Sequence, residues 1–318
     1  MSNRRYETEF LLNLLVVARI QGRQKDLEQF DLPTGHACNL YMISRAPRLT
    51  IDPDTARFTA DGDMLVTLIE QQQQRHILHE IHVRHLAENT EGFRLISAWP
   101  NDEFDIIDRN GNLVTGGVVA LWFRKVGVLP ESLLRAEVLY IGQAFGKAGE
   151  RMAFDRLRSH STLQRIYSDA TPDMQIWLTL CSIDDMGLVT TMDKPGRVIE
   201  KAEAENEAHM VEVYRRYHSE NFWTREAVTA AEAGLIRYFQ PPYNTIFKDN
   251  FPDPSHVHIS ELYELELHSV NVELQASAVE TMFGSQVIAP SDLHFAYYQL
   301  GEYGDLFSFL ETSDEDPS

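Results

Sequence analysis

Apolar and polar positions alternate along the first third of the chain in a way that predicts strands. The runs LYMISRAPRLTIDP, MLVTLIE and HILHEIHVRHL are short and lie between turn residues. Asp61-Gly62-Asp63 separates two of these runs and predicts a hairpin turn. The segment EFLLNLLVVARIQ is ambiguous, because Phe10, Leu14 and Ala18 follow helical spacing while its valine-rich middle also fits a buried strand.

The middle of the chain alternates between strand-like and helix-like patterns. GGVVALWFRKVGV, EVLYIGQ and MQIWLTLCSID predict three strands, and RMAFDRLRSHSTLQRIYSD predicts a helix. TREAVTAAEAGLIRYF predicts a second helix, which Pro241 and Pro242 would end. Between the helices, the charged run VIEKAEAENEAHMVEVYRRYHSENF is helix-like and looks like an insertion. Beyond residue 250 the pattern becomes strand-rich again and closes with the polar tail ETSDEDPS.

These patterns predict an α+β protein in three parts. The turn signal at residues 108–112 marks the first boundary. Residues 1–112 would form a mixed α/β accessory domain, residues 113–250 a small central domain, and residues 251–318 an acidic, β-rich region with a disordered tail. The central domain would thus be flanked by two β-rich accessory regions.

The charge of the chain is strongly negative and unevenly distributed. The formal net charge is −20, and residues 251–318 contain 13 acidic residues and no lysine or arginine. This argues against a non-specific nucleic-acid binder, whose affinity rests on basic residues. The acidic region would bind a protein partner or cover a cationic groove, or it would simply make the protein more soluble. Against this background, the middle of the chain groups basic residues within 15 positions: Arg151, Arg156, Arg158 and Arg165.

The composition also limits the cellular compartments in which the protein is expected to function. No run approaches the roughly 20 apolar residues that a membrane-spanning helix needs, and no signal-peptide pattern opens the chain. The two cysteines, Cys38 and Cys181, are too few for a disulfide framework and are typical of small buried residues. We therefore expect a soluble, cytoplasmic protein that does not enter a membrane.

Both predicted helices of the central domain carry charged residues beside apolar ones. Glu232 lies within the apolar face of the second helix, where a carboxylate is costly unless it is paired, protonated or bound to a metal. The alternative is a glutamate at the edge of that face, reaching solvent. On the first helix, Arg156 and His160 are four residues apart and therefore adjacent. They would bind a phosphate, or they would form an ordinary surface pair.

Taken together, these residues resemble the GIY-YIG nuclease superfamily. Tyr140-Ile141-Gly142 matches the second half of the family name, and Arg156 and His160 match its Arg-x-x-x-His spacing. Glu232 and Asn244, twelve residues apart, resemble its metal-ligand glutamate and downstream asparagine. The run LIRYFQPPYNTIFKDNFP is similar to the equivalent run in members that make the incision in bacterial excision repair. The resemblance covers residues 115–250.

The resemblance implies a three-stranded antiparallel sheet with helices and a Mg²⁺-dependent (or Mn²⁺-dependent) endonuclease acting on DNA. Glu232 would hold the metal, Arg156 would clamp the scissile phosphate, and Tyr140, with His160, would activate or position the attacking water. Asn244 would brace the site through hydrogen bonds. Further contacts to nucleic acid would come from basic neighbours: Lys147, Arg151, Arg158 and Arg165. The residues do not distinguish DNA from RNA, and a role in repair, restriction or phage defence follows by analogy alone.

One departure from the family leaves a second interpretation open. The first strand of the family ends in Gly-Ile-Tyr, and this tripeptide is absent from the chain. The strand expected as its counterpart, residues 117–123, offers Trp122 and Phe123 but no tyrosine. Either Tyr140 carries the role alone, or the protein is a catalytically inactive nucleic-acid-binding or scaffold subunit of a larger complex.

A histidine-rich run provides a further, weaker metal candidate. His76, His79, His82 and His85 recur at every third position, a spacing that gathers all four neither on a helix nor on a strand. His76 and His82 would share one face of a strand. We expect a histidine-rich exposed strand there rather than a metal site, because neither geometry gathers all four side chains on one ion.

Overall fold

Strands from all parts of the chain assemble into one large sheet. A computed structural model describes residues 5–29, 37–73, 75–143, 161–192, 199–219, 223–253 and 259–300. The seven strands of the large sheet are, in chain order, β1 (Thr8–Gly22), β2 (Leu40–Pro47), β9 (Arg135–Gln143), β10 (Met174–Met192), β11 (Ser269–Gln275), β12 (Met282–Gly284) and β13 (Leu293–Gln299). Their spatial order is β12-β9-β2-β10-β1-β11-β13. Neighbours are antiparallel except for the β12–β9 and β1–β11 pairs.

Two small sheets lie between β2 and β9 in the sequence. The first consists of β3 (Leu49–Phe58), β4 (Met64–Gln71) and β5 (His76–Val83), and the second of β6 (Arg94–Ile96), β7 (Glu103–Ile107) and β8 (Leu113–Val118). Both are antiparallel meanders. Gly62, in the predicted hairpin turn between β3 and β4, has a φ of +86°, a conformation that glycine adopts without steric cost.

Five α-helices complete the described structure. They are α1 (Val119–Lys125), α2 (Ser161–Asp169), α3 (Glu203–Tyr217), α4 (Trp223–Phe239) and α5 (Ser260–Glu264). Helix α4 packs against β9, β1, β11 and β13 on one face of the large sheet. It is buried on nearly all sides, and its many alanines let the strands approach closely. Helix α2 covers the opposite face, where Leu163 and Ile166 pack against a smaller core of β2, β9 and β10 residues.

The large sheet curls around α4 until its two edges meet. His294, near the start of β13, donates from Nε2 to the carbonyl oxygen of Phe283 in β12 at 3.0 Å. Phe283 and Ser291 also form an isolated antiparallel bridge. Burial lowers the pKa of His294, so the imidazole is neutral at this junction at neutral pH. Within the described ranges, no helix is long and apolar enough to span a bilayer.

The predicted class is confirmed as a mixed fold of helices and mainly antiparallel sheets. The ambiguous segment at the N-terminal end is strand β1, which β10 and β11 flank on either side. Strand pairing crosses both predicted domain boundaries, because β2, β10 and β11 come from three different predicted regions. The boundary at residue 112 falls inside the β7–β8 hairpin.

Two local predictions were wrong. Residues 117–123 do not form a strand: β8 ends at Val118 and α1 follows at once. The buried side chains there include Val119, Ala120 and Phe123, a helical spacing that places all three against the core. The second error lies at residues 260–264, predicted as strand, which form α5. The charged run before α4 contains α3, as its pattern predicted.

Candidate active site

Tyr140-Ile141-Gly142 lies in β9, between β2 and an edge that is only partly covered by another strand. On the inner side, Tyr140 is opposite Ile43 and Gly142 is opposite Tyr41 of β2. On the outer side, β12 pairs with β9 at residues 135–137. Backbone groups farther along that edge need other partners, because buried amide and carbonyl groups are costly to leave unpaired.

Asn244 supplies those partners at Ile141. Its Oδ1 accepts a hydrogen bond from the Ile141 amide at 3.0 Å, and its Nδ2 donates to the Ile141 carbonyl oxygen at 2.9 Å. The preceding residue, Tyr243, donates its amide to the Leu139 carbonyl oxygen at 3.1 Å. Asn244 is only 8% exposed. The segment after α4 thus takes the place of a neighbouring strand along the tyrosine-bearing part of β9.

A second tyrosine lies beside Tyr140. The ring centroids of Tyr41 and Tyr140 are 6.1 Å apart, and the ring planes are inclined by 30°. Tyr41 is fully buried, whereas Tyr140 is half-buried. Both rings lie on the face of the sheet that α2 covers. Two antiparallel strands, separated by about a hundred residues of sequence, therefore bring two phenol groups together.

Gly142 leaves the space that the two rings occupy. A Cβ atom at this position would lie 2.5 Å from Tyr41 Oη and 2.8 Å from Tyr140 Cε1. Real Cβ atoms do not approach other atoms so closely, and Tyr41 cannot move away easily because it is fully buried. The glycine is therefore required for the packing of the tyrosine pair.

We expect Gly142→Ala to destabilise the protein by about 1–3 kcal/mol, because the added methyl group overpacks a filled site. Urea unfolding measures this loss. Gly187→Ala in β10 is the matched control, since a Cβ there would meet Asn13 Cβ at an ordinary 3.8 Å. Equal effects of the two substitutions would contradict the packing derived for Gly142.

Glu232 lies on α4, against the opposite face of the sheet. It is 8% exposed, between the buried Ala231 and Ala233, so it does not reach solvent. One turn earlier, Thr229 Oγ1 donates to Gln143 Oε1 at 3.4 Å, which joins α4 to the end of β9. Glu232 thus belongs to the helix that packs where the tyrosine-bearing strand ends.

Arg165 lies on α2 beside the residue that precedes Asn244. Its guanidinium group is 5.5 Å from the centre of the Tyr243 ring, and its Nε is 3.9 Å from Asp169 Oδ2. Tyr243 Oη donates to the same carboxylate at 2.8 Å. Burial, and then the bond to Asp169, raise the pKa of Tyr243, so its phenol stays protonated. Arg165 is largely exposed and remains accessible to a polyanion.

The remaining predicted site residues lie outside the described ranges. These are Lys147, Arg151, Arg156, Arg158 and His160. Among the site residues that the structure does describe, Tyr140 and Asn244 meet at Ile141, and Glu232 approaches the end of the same strand on α4.

The histidine-rich strand and the cysteines show no sign of a reactive site. His79 contacts Glu70 at 2.9 Å and His82 contacts Asp63 at 2.7 Å, so these two histidines of β5 pair with separate carboxylates. In the part of the chain that the structure describes, no three His, Cys, Asp or Glu residues are grouped to hold a metal ion. Burial raises the pKa of Cys38 to about 11, which keeps its thiol protonated at neutral pH.

Comparison with protein-family models, curated proteins and solved structures finds no match for this chain.

Tyr41 is the residue of the candidate site that the sequence pattern did not indicate. Its signal in the sequence is slight: a tyrosine that is the second residue of an apolar strand, in Asn39-Leu40-Tyr41. Only the pairing of β2 with β9 gives this tyrosine a place beside Tyr140.

Proposed function

We propose that the protein is a metal-dependent endonuclease that hydrolyses phosphodiester bonds in DNA. The observation that carries this proposal is the packing of Tyr41 against Tyr140 on adjacent antiparallel strands. The family that the sequence resembles has one tyrosine at the end of each of two strands. Tyr41, at the start of β2, would take the role of the first of these tyrosines, which residues 117–123 lack.

The surroundings of the tyrosine pair support the same proposal. Strands β9, β2 and β10 are three successive antiparallel strands, with α2 on one face and α4 on the other. This matches the three-stranded sheet with helices that the resemblance implies. In this arrangement the two small sheets, residues 49–118, form an insertion between the two tyrosine-bearing strands. The presence of both tyrosines favours an active enzyme over an inactive binding subunit.

Glu232 fits the role of metal ligand. It is a carboxylate, the type of ligand that Mg²⁺ prefers, and its helix packs against the strand that carries Tyr140. Mg²⁺ typically binds one or two carboxylates and completes its shell with water and substrate phosphate oxygens, so a group of three protein ligands is not required. When bound, the metal would supply positive charge for the phosphate oxygens during cleavage.

The protein's own residues would orient the reactants. Tyr140 is half-buried, so its hydroxyl is placed to hold the attacking water by a hydrogen bond. Tyr41 fixes the ring of Tyr140 from behind, and Asn244 fixes the backbone of the next residue. Arg156 would neutralise the phosphate through its planar fork of donors. Each role depends on position, which the sheet and the Asn244 bonds supply.

The net charge of −20 sets the conditions under which DNA would be bound. The negative charge of the whole chain repels a polyanion such as DNA, and local cations such as Arg165 must overcome this repulsion. We therefore expect weak binding of bulk DNA that falls steeply with salt. The acidic residues 251–318 would add to this repulsion, so substrate choice would rest on particular DNA structures or on a protein partner.

Cleavage with and without metal tests the proposal. Full-length protein is incubated with plasmid, single-stranded DNA and RNA, in Mg²⁺, Mn²⁺ or EDTA. We expect metal-dependent DNA cleavage that drops at least about 100-fold in Glu232→Gln, because a transition-state charge contact is lost. Glu226→Gln, earlier on the same helix, should cleave normally. Cleavage that survives in Glu232→Gln would remove this residue from the site, and the absence of cleavage in every condition would favour the binding subunit.

A further inference from the structure

Arg124 is a buried cation at the C-terminal end of α1. Its side chain is 2% exposed. Burial lowers its pKa to about 10, so the guanidinium group is still charged at neutral pH. A buried charge is costly unless an opposite charge lies close to it. The identity of that opposite charge therefore matters.

The partners of Arg124 within the described residues are neutral. Its Nη1 donates to Gln21 Oε1 at 2.6 Å and to Thr281 Oγ1 at 3.2 Å. The guanidinium group lies 5.5 Å from the centre of the Trp177 ring. Its Nε is buried and has no hydrogen-bond partner. A guanidinium group binds carboxylates and phosphates through paired N–H groups, and here donor capacity is left over.

Arg23 shows how this chain pairs another buried arginine. Arg23 is 5% exposed and donates to three carboxylates, those of Asp26, Asp102 and Glu103. Among the residues that the structure describes, no carboxylate lies within ion-pair distance of Arg124. Arg23 thus contacts its carboxylates directly, whereas Glu280, the carboxylate that acts electrostatically on Arg124, does not form an ion pair with it.

A cavity adjoins Arg124 and is lined mainly by cationic and apolar side chains. Its volume is about 430 Å³, within the usual range for small-molecule sites. Arg124 and Lys125 line it together with Ile20, Leu121 and Val279, and Glu280 is its one acidic residue. Arg19 also lines it, but its guanidinium group pairs with Asp184. A second cavity of about 390 Å³ shares Arg124 and Glu280 but adds Glu131 and Asp292. The charges favour an anion in the first cavity and oppose one in the second.

We propose that the first cavity binds a small organic oxyanion, a carboxylate or a phosphate monoester with an apolar body. Arg124 would bind the oxyanion, Lys125 would add charge from the rim, and the aliphatic side chains would contact the apolar part. Gln21 holds the guanidinium group in place, since its own Nε2 donates to Thr179 Oγ1 at 3.1 Å. This site lies on the α4 side of the sheet, whereas the tyrosine pair lies on the α2 side. The cavity contains none of the residues assigned to the nuclease site, so this proposal does not rest on the proposed nuclease function.

Ligand binding by the full chain tests the site without any nuclease readout. Inorganic phosphate, phenyl phosphate and benzoate are titrated by calorimetry and by thermal melting, at an ionic strength held constant with sodium chloride. We expect at least one of the two aromatic anions to bind in the millimolar range or tighter and to raise the melting temperature by about 2–4 °C. Tighter binding of phenyl phosphate would indicate a phosphate monoester as the ligand, and tighter binding of benzoate would indicate a carboxylate. No binding of any of the three probes would overturn the proposal.

Three substitutions in the cavity and one control outside it locate the binding. Arg124→Lys, which keeps the charge but loses the fork, should abolish it, while Arg135→Lys at an exposed position should not change it. Lys125→Ala should weaken affinity about two- to five-fold, and Glu280→Gln should strengthen it by a similar factor, because each removes one screened charge. These two variants decide the matter if Arg124→Lys does not fold. Should Glu280→Gln leave affinity unchanged or reduce it, the anion would not lie in the cavity beside Glu280 and the proposal would be wrong.

Discussion

Tyr140→Phe is expected to lower the rate of DNA cleavage by about 100- to 10,000-fold, the usual range for a positioned proton-transfer group. Tyr41→Phe is expected to lower it by about 10- to 100-fold, because the Tyr41 hydroxyl, which lies beside Gly142, would act together with that of Tyr140. Both substitutions keep the ring that fills the site, so the fold should be retained. Single-turnover cleavage in Mg²⁺ measures the rates, and thermal melting measures the fold.

Tyr217→Phe is the matched control for the loss of a tyrosine hydroxyl. Tyr217 on α3 donates from Oη to the Met186 carbonyl oxygen at 2.5 Å, outside the candidate site. Its substitution should cost stability without changing the cleavage rate. If Tyr41→Phe behaved like Tyr217→Phe, Tyr41 would be a packing residue alone.

Asn244→Ala is expected to lower the free energy of unfolding by about 2–3 kcal/mol and to reduce cleavage as well. The substitution leaves both backbone groups of Ile141 unpaired at a buried position, and each such group carries a desolvation penalty. It would also loosen the strand that carries Tyr140. Urea unfolding at unchanged m-value measures the loss of stability.

Two further asparagine variants show whether the backbone bonds are responsible. Asn244→Asp keeps the acceptor for the Ile141 amide but replaces the donor with an oxygen that faces the Ile141 carbonyl, so it should also destabilise. Asn271→Ala removes a side-chain bond from Asn271 to Asn13 at 2.6 Å and touches no backbone group, so a smaller loss is expected. Similar stabilities for Asn244→Ala and the wild type would mean that the edge of β9 does not depend on Asn244.

The local sequence pattern correctly predicted the helices and strands whose apolar residues recur with a clear periodicity. The strands around Tyr140 and Trp177 and the helix that contains Glu232 all form where the pattern placed them. The same reasoning failed at Gly117, because a short apolar run fits a strand and a buried helix equally well. Here the position of the core decided, because the adjacent residues Val119 and Ala120 are both buried along with Phe123, a pattern of one helix face and not of alternating strand faces.

The pairing of the strands could not be predicted from the sequence. Tyr41 and Tyr140 are adjacent because β2 inserts between β9 and β10, and nothing in the local pattern of β2 specifies that neighbour. The resemblance instead made residues 117–123, the run before the strand of Tyr140, the expected counterpart of the family's first strand. The burial of Glu232 was equally undecided, because a glutamate within an apolar face can either be buried or extend to solvent. The Asn244 bonds to Ile141 likewise depend on tertiary structure.

The central claim is that two tyrosines from distant parts of the chain form one phosphodiester-cleaving site. The most direct test compares Tyr41→Phe, Tyr140→Phe and the double variant in Mg²⁺-dependent DNA cleavage under single-turnover conditions. Residues that act as a unit give strongly non-additive effects, so the double variant should be about as slow as Tyr140→Phe alone. Rate losses that multiply in the double variant would show that the two tyrosines act separately and would contradict the claim.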